Sequence, residues 1–260
     1  MSRYGYFRTF YMSFYSRDLY RDVAENWGAG VVLYLTLLLA ISWLITMIVA
    51  HPLFRAGVSQ FNQQITPQLP EVITIKKGIV TTPENRPYLI KDAKTQDVIA
   101  IIDTSGKYTS LEESHAALLI TKDTYAHTSD SNYHKIEINT IPTNLNLMIT
   151  RAQVQQFIPK FMDWMLAIAF PFLLIASLLY RLLQSIVYAI FGKIFAAISG
   201  QPLMYSTILK LAMVSITPAI VVCTVLQWAH FILPHIGLMY FALAMIYLIF
   251  AIRANRVDSR

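Results

Sequence analysis

The residues in this chain with the most chemical potential are a few carboxylates and imidazoles, and the first of them ends an apolar run. Ile99 to Gly106 reads as a β-branched strand followed by Asp103-Thr104-Ser105-Gly106. A strand ending in Asp-x-x-Gly is the magnesium-side motif of GTPases, and Thr121-Lys122-Asp123 faintly echoes their base-reading motif. Phosphate chemistry also needs a Gly-x-x-x-x-Gly-Lys-Ser/Thr loop to cradle the phosphates, and the sequence has none. An aspartic protease needs two carboxylates sharing one proton, but Asp-Thr-x-Gly occurs in a single copy. The remaining reading is a strand-to-turn step in which Asp103 accepts local backbone N–H groups and Gly106 takes a positive φ. On this reading the amide of an asparagine at 103 should bond the same turn.

His127, Asp130 and His134 lie within eight residues, in a stretch of Thr, Ser, Asp and Asn without fixed helical spacing, which reads as a solvated loop. The single cysteine, Cys223, stands in an apolar run where a thiolate would be costly. It supplies neither a disulfide framework nor a metal site. Asp163 opens a long apolar run, and His230 and His235 flank Pro234 in a short turn between two others. Ionisable groups at such positions either face water or pair within a helix bundle, where pairing would define a ligand or proton-linked site. Asp103, Asp163, His230 and His235 are therefore the ligand or partner candidates. No catalytic residue, metal ligand or cofactor is expected.

The elements carrying these residues follow from hydropathy and charge. The 260 residues are 55% apolar and only 14% charged, with a mean hydropathy of +0.47. That excludes a disordered chain and a nucleic-acid-binding arm, and it points to a membrane protein. Val31 to Val49 is an uncharged run of nineteen residues, about 28 Å of helix and enough to cross a bilayer. A signal peptide would have a shorter apolar core. Further runs cover Met162–Tyr180, Leu182–Ser199, Leu211–Leu226 and Ile236–Ile252.

Basic residues decide how many of these cross. If Leu182–Ser199 does not cross, the arginines of the N-terminal arm, Arg181, Lys193, Lys210 and the arginines of the tail share one side. That side is then cytoplasmic, whereas a fifth crossing would export the basic tail. The expected order is a cytoplasmic amphipathic arm (1–30), a first crossing (31–50), an extracytoplasmic domain (51–161), a second crossing (162–181), an amphipathic helix on the cytoplasmic side (182–204), crossings at 205–227 and 236–252, and a cytoplasmic tail (253–260). Gln184, Ser185, Tyr188, Gly192, Lys193, Ala196 and Ser199 form a polar and small stripe at helical spacing. This suits a helix lying on the inner leaflet, the alternative being a helix packed into the bundle. Phe7, Phe10, Tyr11 and Phe14 repeat the pattern in the arm, between arginines. Pro171 and Pro218 should kink their helices.

Between residues 51 and 161 polar residues return and apolar runs shorten. Val72–Ile75, Ile79–Thr81, Tyr88–Ile90, Val98–Ile102, Leu118–Thr121 and Ile136–Ile138 read as strands. Ser110 with Glu113, and Thr150 with Gln153, are capping-box patterns. The fold class is thus an α-helical membrane bundle of four transmembrane helices, with amphipathic inner-leaflet helices and an inserted extracytoplasmic α/β or α+β domain.

Ser16-Arg17-Asp18-Leu19-Tyr20, the first crossing, Leu69-Pro70-Glu71-Val72, Gly78-Ile79-Val80, the Asp103-Thr104-Ser105-Gly106 step and the late crossings together resemble one bacterial group. This is the integral-membrane family labelled domain of unknown function 1189, similar in layout to the broader Yip-type group. The resemblance covers almost the whole chain. It implies a helical bundle carrying an extracytoplasmic domain in the bacterial inner membrane, and it transfers no catalytic residues.

The function expected is that of a non-enzymatic envelope protein. Its outer domain binds a protein or envelope ligand, its bundle anchors or relays that contact, and its partners are the lipid bilayer and a protein or second copy, not nucleic acid. The alternative is a transporter, channel or transport-accessory subunit, which a charge inside the bundle would favour. A membrane enzyme lacks a nucleophile–base pair or metal signature here.

Overall fold

A computed structural model describes residues 3–114, 116–128, 136–201, 203–229 and 235–256. These residues are mostly helical, with four helices long and apolar enough to cross a membrane and two small sheets. The chain divides into two compact units, one formed by the chain up to Ala50 and from Leu166 onward, the other by His51–Met165.

The first unit begins with α1 (Tyr6–Met12) and α2 (Arg17–Asn26). Ser16 caps α2, its hydroxyl accepting from the Leu19 N–H. The two helices of the arm have different surroundings. Phe7 and Tyr11 on α1 are exposed, whereas Leu19, Tyr20 and Val23 on α2 are completely buried, packed against α6 (Tyr205–Trp228) and α7 (Ile236–Ala254). The Tyr20 hydroxyl donates to the Ser13 carbonyl at 2.6 Å, which spares it from being stranded in that core. α3 (Gly30–Ile65) is joined to the other helices by polar contacts between their apolar faces. The Tyr34 hydroxyl lies 3.0 Å from that of Thr217, and the Trp228 indole donates to Thr46.

The largest departure from expectation is α5, which runs unbroken from Arg151 to Ile198. The separate helix expected over 182–204 is the continuation of this one. No glycine or proline stands near Arg181 to end the helix, so backbone hydrogen bonding carries on. It stops at Gly200, whose φ of +67° lets the Gln201 N–H turn back to the Ala196 carbonyl at 2.9 Å. The stripe read as facing the headgroups faces protein instead. Ser185, Tyr188, Gly192 and Ala196 are buried, and a Cβ on Gly192 would lie 2.6 Å from Ile208 and 3.1 Å from Leu248. Small residues at these positions allow close helix packing. Pro171 and Pro218 are both accommodated within continuous helices.

In the second unit, β1 (Val72–Lys76) and β2 (Ile79–Thr81) form a hairpin. Its turn has φ of +49° at Lys77 and +77° at Gly78, the pattern of a type I′ turn. A Cβ on Gly78 would come 2.7 Å from the Ile141 carbonyl oxygen, so glycine is needed twice over. β8 (Leu147–Thr150) pairs with the other side of β1. The second sheet has five strands in the order β3 (Tyr88–Lys91), β4 (Val98–Ile102), β5 (Leu118–Ile120), β6 (Thr124–Thr128) and β7 (Ile136–Thr140). Only β4 and β5 are parallel, and the short α4 (Leu111–Ser114) lies in the connection between them.

Alternation along β4 sends Ile101 to a core with Leu111 and Leu119, and Ala100 and Ile102 to a core with Ile90, Ile65 and Leu69. Both faces of the sheet are therefore covered at β4. The Thr150–Gln153 capping box forms as expected, each side chain bonding the other's backbone N–H. β6 and β8 were not anticipated.

Candidate functional site

Asp103 follows β4 directly, and its carboxylate is buried. Oδ1 accepts from the Ser105 N–H at 2.8 Å and the Ser105 hydroxyl at 2.6 Å, and Oδ2 accepts from the Tyr108 N–H at 2.7 Å. Gly106 takes φ of +82°, which wraps the loop around the acid. Burial alone would raise the Asp103 pKa, but the Ser105 hydroxyl and the N–H groups of Tyr108, Ser105 and Lys107 outweigh it and hold the carboxyl below its ordinary value. Such a group stays ionised and already accepts hydrogen bonds at both oxygens. It organises a turn and is poorly suited to proton transfer.

Asp163 lies on α5 and bridges to α3 within the second unit. Arg55 Nη2 donates to Oδ2 at 2.8 Å, and His51 Nε2 lies 3.3 Å from Oδ1. All three are partly exposed, so the cluster ties two helices together at a wet surface. Asp103 and Asp163 share no hydrogen-bonding partner. His235 is the N-cap of α7, in the left-handed conformation and without a side-chain capping bond. His230, Pro234, Asp130, His134 and His115 lie outside the described residues. His127 faces Glu137 across β6 and β7 at 3.7 Å. Among the described residues no group of His, Cys, Asp and Glu is placed to hold a metal ion.

Two further features stand out. The first is an asymmetry of the five-stranded sheet. At its β3 edge Gln68 bonds one residue, accepting from the Lys91 N–H at 2.8 Å and donating to the Lys91 carbonyl at 3.0 Å, as a neighbouring strand would. At the opposite edge, among the described residues, β6 is the strand that pairs with β7, and Ile138 is 70% exposed.

The second is a cleft of about 240 Å³ inside the first unit, lined by Arg181 and Gln184 of α5, Thr224 and Gln227 of α6, and Gly237 and Tyr240 of α7. The Arg181 guanidinium stacks over the Tyr240 ring at 4.3 Å. The charge bias had grouped Arg181 with the arm and tail. It lies instead where α6 ends and α7 begins. Arg21, Lys193 and Lys210 gather at the other end of these helices, bonding the carbonyls of Ala254, Leu203 and Ala24.

Compared with known families, residues 7–252 match the family described as Protein of unknown function (DUF1189). The chain belongs to this family. Among curated proteins and among solved structures, nothing matches.

In this DUF1189 protein the sequence signals for the missed features were faint. His51 and Arg55 are four residues apart, hence on one helix face, but nothing in the sequence pairs that face with Asp163. Tyr180, Arg181 and Gln184 show helical spacing inside an apolar run. That polar cluster became informative only once α5 was seen to continue through it. The Gln68 cap joins two segments whose proximity depends on tertiary structure.

Proposed function

We propose that this DUF1189 protein is a non-enzymatic, multi-pass protein of the bacterial inner membrane whose extracytoplasmic domain binds an extended protein segment by strand addition to β7. The observation that carries this reading is the asymmetry of the five-stranded sheet. An edge strand presents unpaired N–H and C=O groups, and proteins usually blunt it with charge, bulges or a covering segment. Here Gln68 blunts β3 at Lys91, whereas β7 keeps an outward isoleucine and, among the described residues, no strand pairs with its outer side. An extended peptide would gain main-chain hydrogen bonds there and an apolar contact at Ile138. Four apolar helices then serve as anchor, with both termini cytoplasmic.

The test places a photocrosslinking residue at Ile138 or, as a control, at exposed Glu84, and compares cellular adducts with the phenotype of Ile138→Lys. A lysine at an exposed edge should leave the fold intact while opposing strand addition. The expected result is an adduct from position 138 alone, with Ile138→Lys reproducing the deletion phenotype at matched protein level. A wild-type phenotype together with no adduct from position 138 would refute the reading. A second reading, a transport or transport-accessory subunit, is favoured by one observation, the arginine-bearing cleft among the apolar helices.

A further inference from the structure

We propose that the cleft around Arg181 is a binding site for a phosphate-bearing anion, a site independent of strand addition at β7. The argument starts from the charge. Arg181 lies within the long apolar helix α5, and among the described residues no carboxylate pairs with it. Its guanidinium is nevertheless held in place. Nη1 donates to the Gln184 side-chain oxygen at 2.6 Å, the Gln184 amide donates to the Tyr188 hydroxyl at 2.7 Å, and the rings of Tyr180 and Tyr240 flank it at 5.3 and 4.3 Å. A guanidinium fixed in this way keeps most of its fork of N–H donors free for an acceptor in the cleft.

The rest of the lining points the same way. Tyr240 is 7% exposed, and among the described residues its buried hydroxyl has no hydrogen-bond partner. A hydroxyl stranded in such a place is costly unless an acceptor or donor reaches it. Thr224 and Gln227 contribute further donors. The cleft also touches the first turn of α7, a helix of 19 residues whose N-terminal N–H groups carry partial positive charge. Gly237 in that turn has open space where a Cβ would stand, so a ligand can approach the backbone. Among the described residues no acidic side chain lines the cleft. A planar cation, hydroxyls, an amide and a helix N-terminus converging from three helices suit an anion with several acceptor oxygens. Phosphate, free or in a lipid headgroup, has that chemistry.

The experiment uses the full chain in a neutral maltoside detergent and measures binding calorimetrically with two probes, inorganic phosphate and dihexanoyl phosphatidylglycerol. Saturable binding of at least one is expected, and Arg181→Gln should weaken it at least tenfold. Gln227→Glu, which puts a carboxylate into the cleft at an exposed position, should weaken it by a similar factor with an unchanged unfolding midpoint. That variant keeps the test informative if Arg181→Gln does not fold. Binding of phosphate alone assigns a soluble anion, and binding of the lipid alone assigns a headgroup. No saturable binding of either probe, or wild-type affinity in Gln227→Glu, overturns the proposal.

Discussion

At Asp103 one carboxylate serves donors on both sides, and this alters what a conservative substitution does. The sequence pattern alone predicts that an asparagine bonds the same turn. The structure shows donors converging on both oxygens, Ser105 on Oδ1 and the Tyr108 N–H on Oδ2. An amide can replace one of these oxygens, and its NH2 must then confront a donor at the other. Asp103→Asn is therefore expected to destabilise the second unit by about 1–3 kcal/mol, the cost of a buried donor left without its acceptor. Denaturant unfolding of the full chain in detergent would measure this, and an unchanged midpoint would contradict it. The pH dependence has a definite sign. Because the folded pKa is lowered, the stabilisation is present above the unfolded value of about 3.9 and is lost as pH falls through the lower folded value. The wild-type chain should thus lose more stability than Asp103→Asn on acidification below pH 4.

Among the elements, α5 departs most from its sequence reading, and the departure is open to test. Polar and small residues at helical spacing look alike whether they face water or a neighbouring helix, since glycine, alanine and serine suit both. Periodicity correctly identified the face from Ser185 to Ala196 but not its partner. What covers it became visible only in the approach of Ile208 and Leu248 to Gly192. Gly192→Val should overpack that contact and cost about 1–3 kcal/mol, read as a lower thermal midpoint in detergent. A helix lying free on a leaflet would tolerate the same change with no shift. The strands were more legible, because β-branched runs bounded by turn residues carry their own signal. β6 and β8 escaped notice because Thr124–Thr128 mixes polar and aromatic residues and Leu147–Thr150 leads directly into α5.

For the whole molecule, placing Arg181 beside the end of α6 and the start of α7 removes one charge from the group expected to hold the termini inside, yet Arg21 of the arm, Lys193, Lys210 and Arg253 still gather at one end of these helices. The proposed topology therefore stands on the remaining charges. Reporter fusions after Gln201 and Arg256 should give a cytoplasmic signal, and fusions at Glu84 an extracytoplasmic one. An outside signal at Gln201 would overturn this arrangement. The Gln68 cap has a consequence of another kind, for stoichiometry. A sheet with two open edges can recruit a strand at each side and continue without limit, the geometry of a fibre. With Lys91 on β3 already bonded by Gln68, the proposed strand addition leaves this sheet one valence, at β7. It is satisfied by one peptide, or by β7 of a second copy related by a twofold axis, and either event ends growth. On the proposed reading, one glutamine side chain thereby favours complexes of two over continued growth of this sheet.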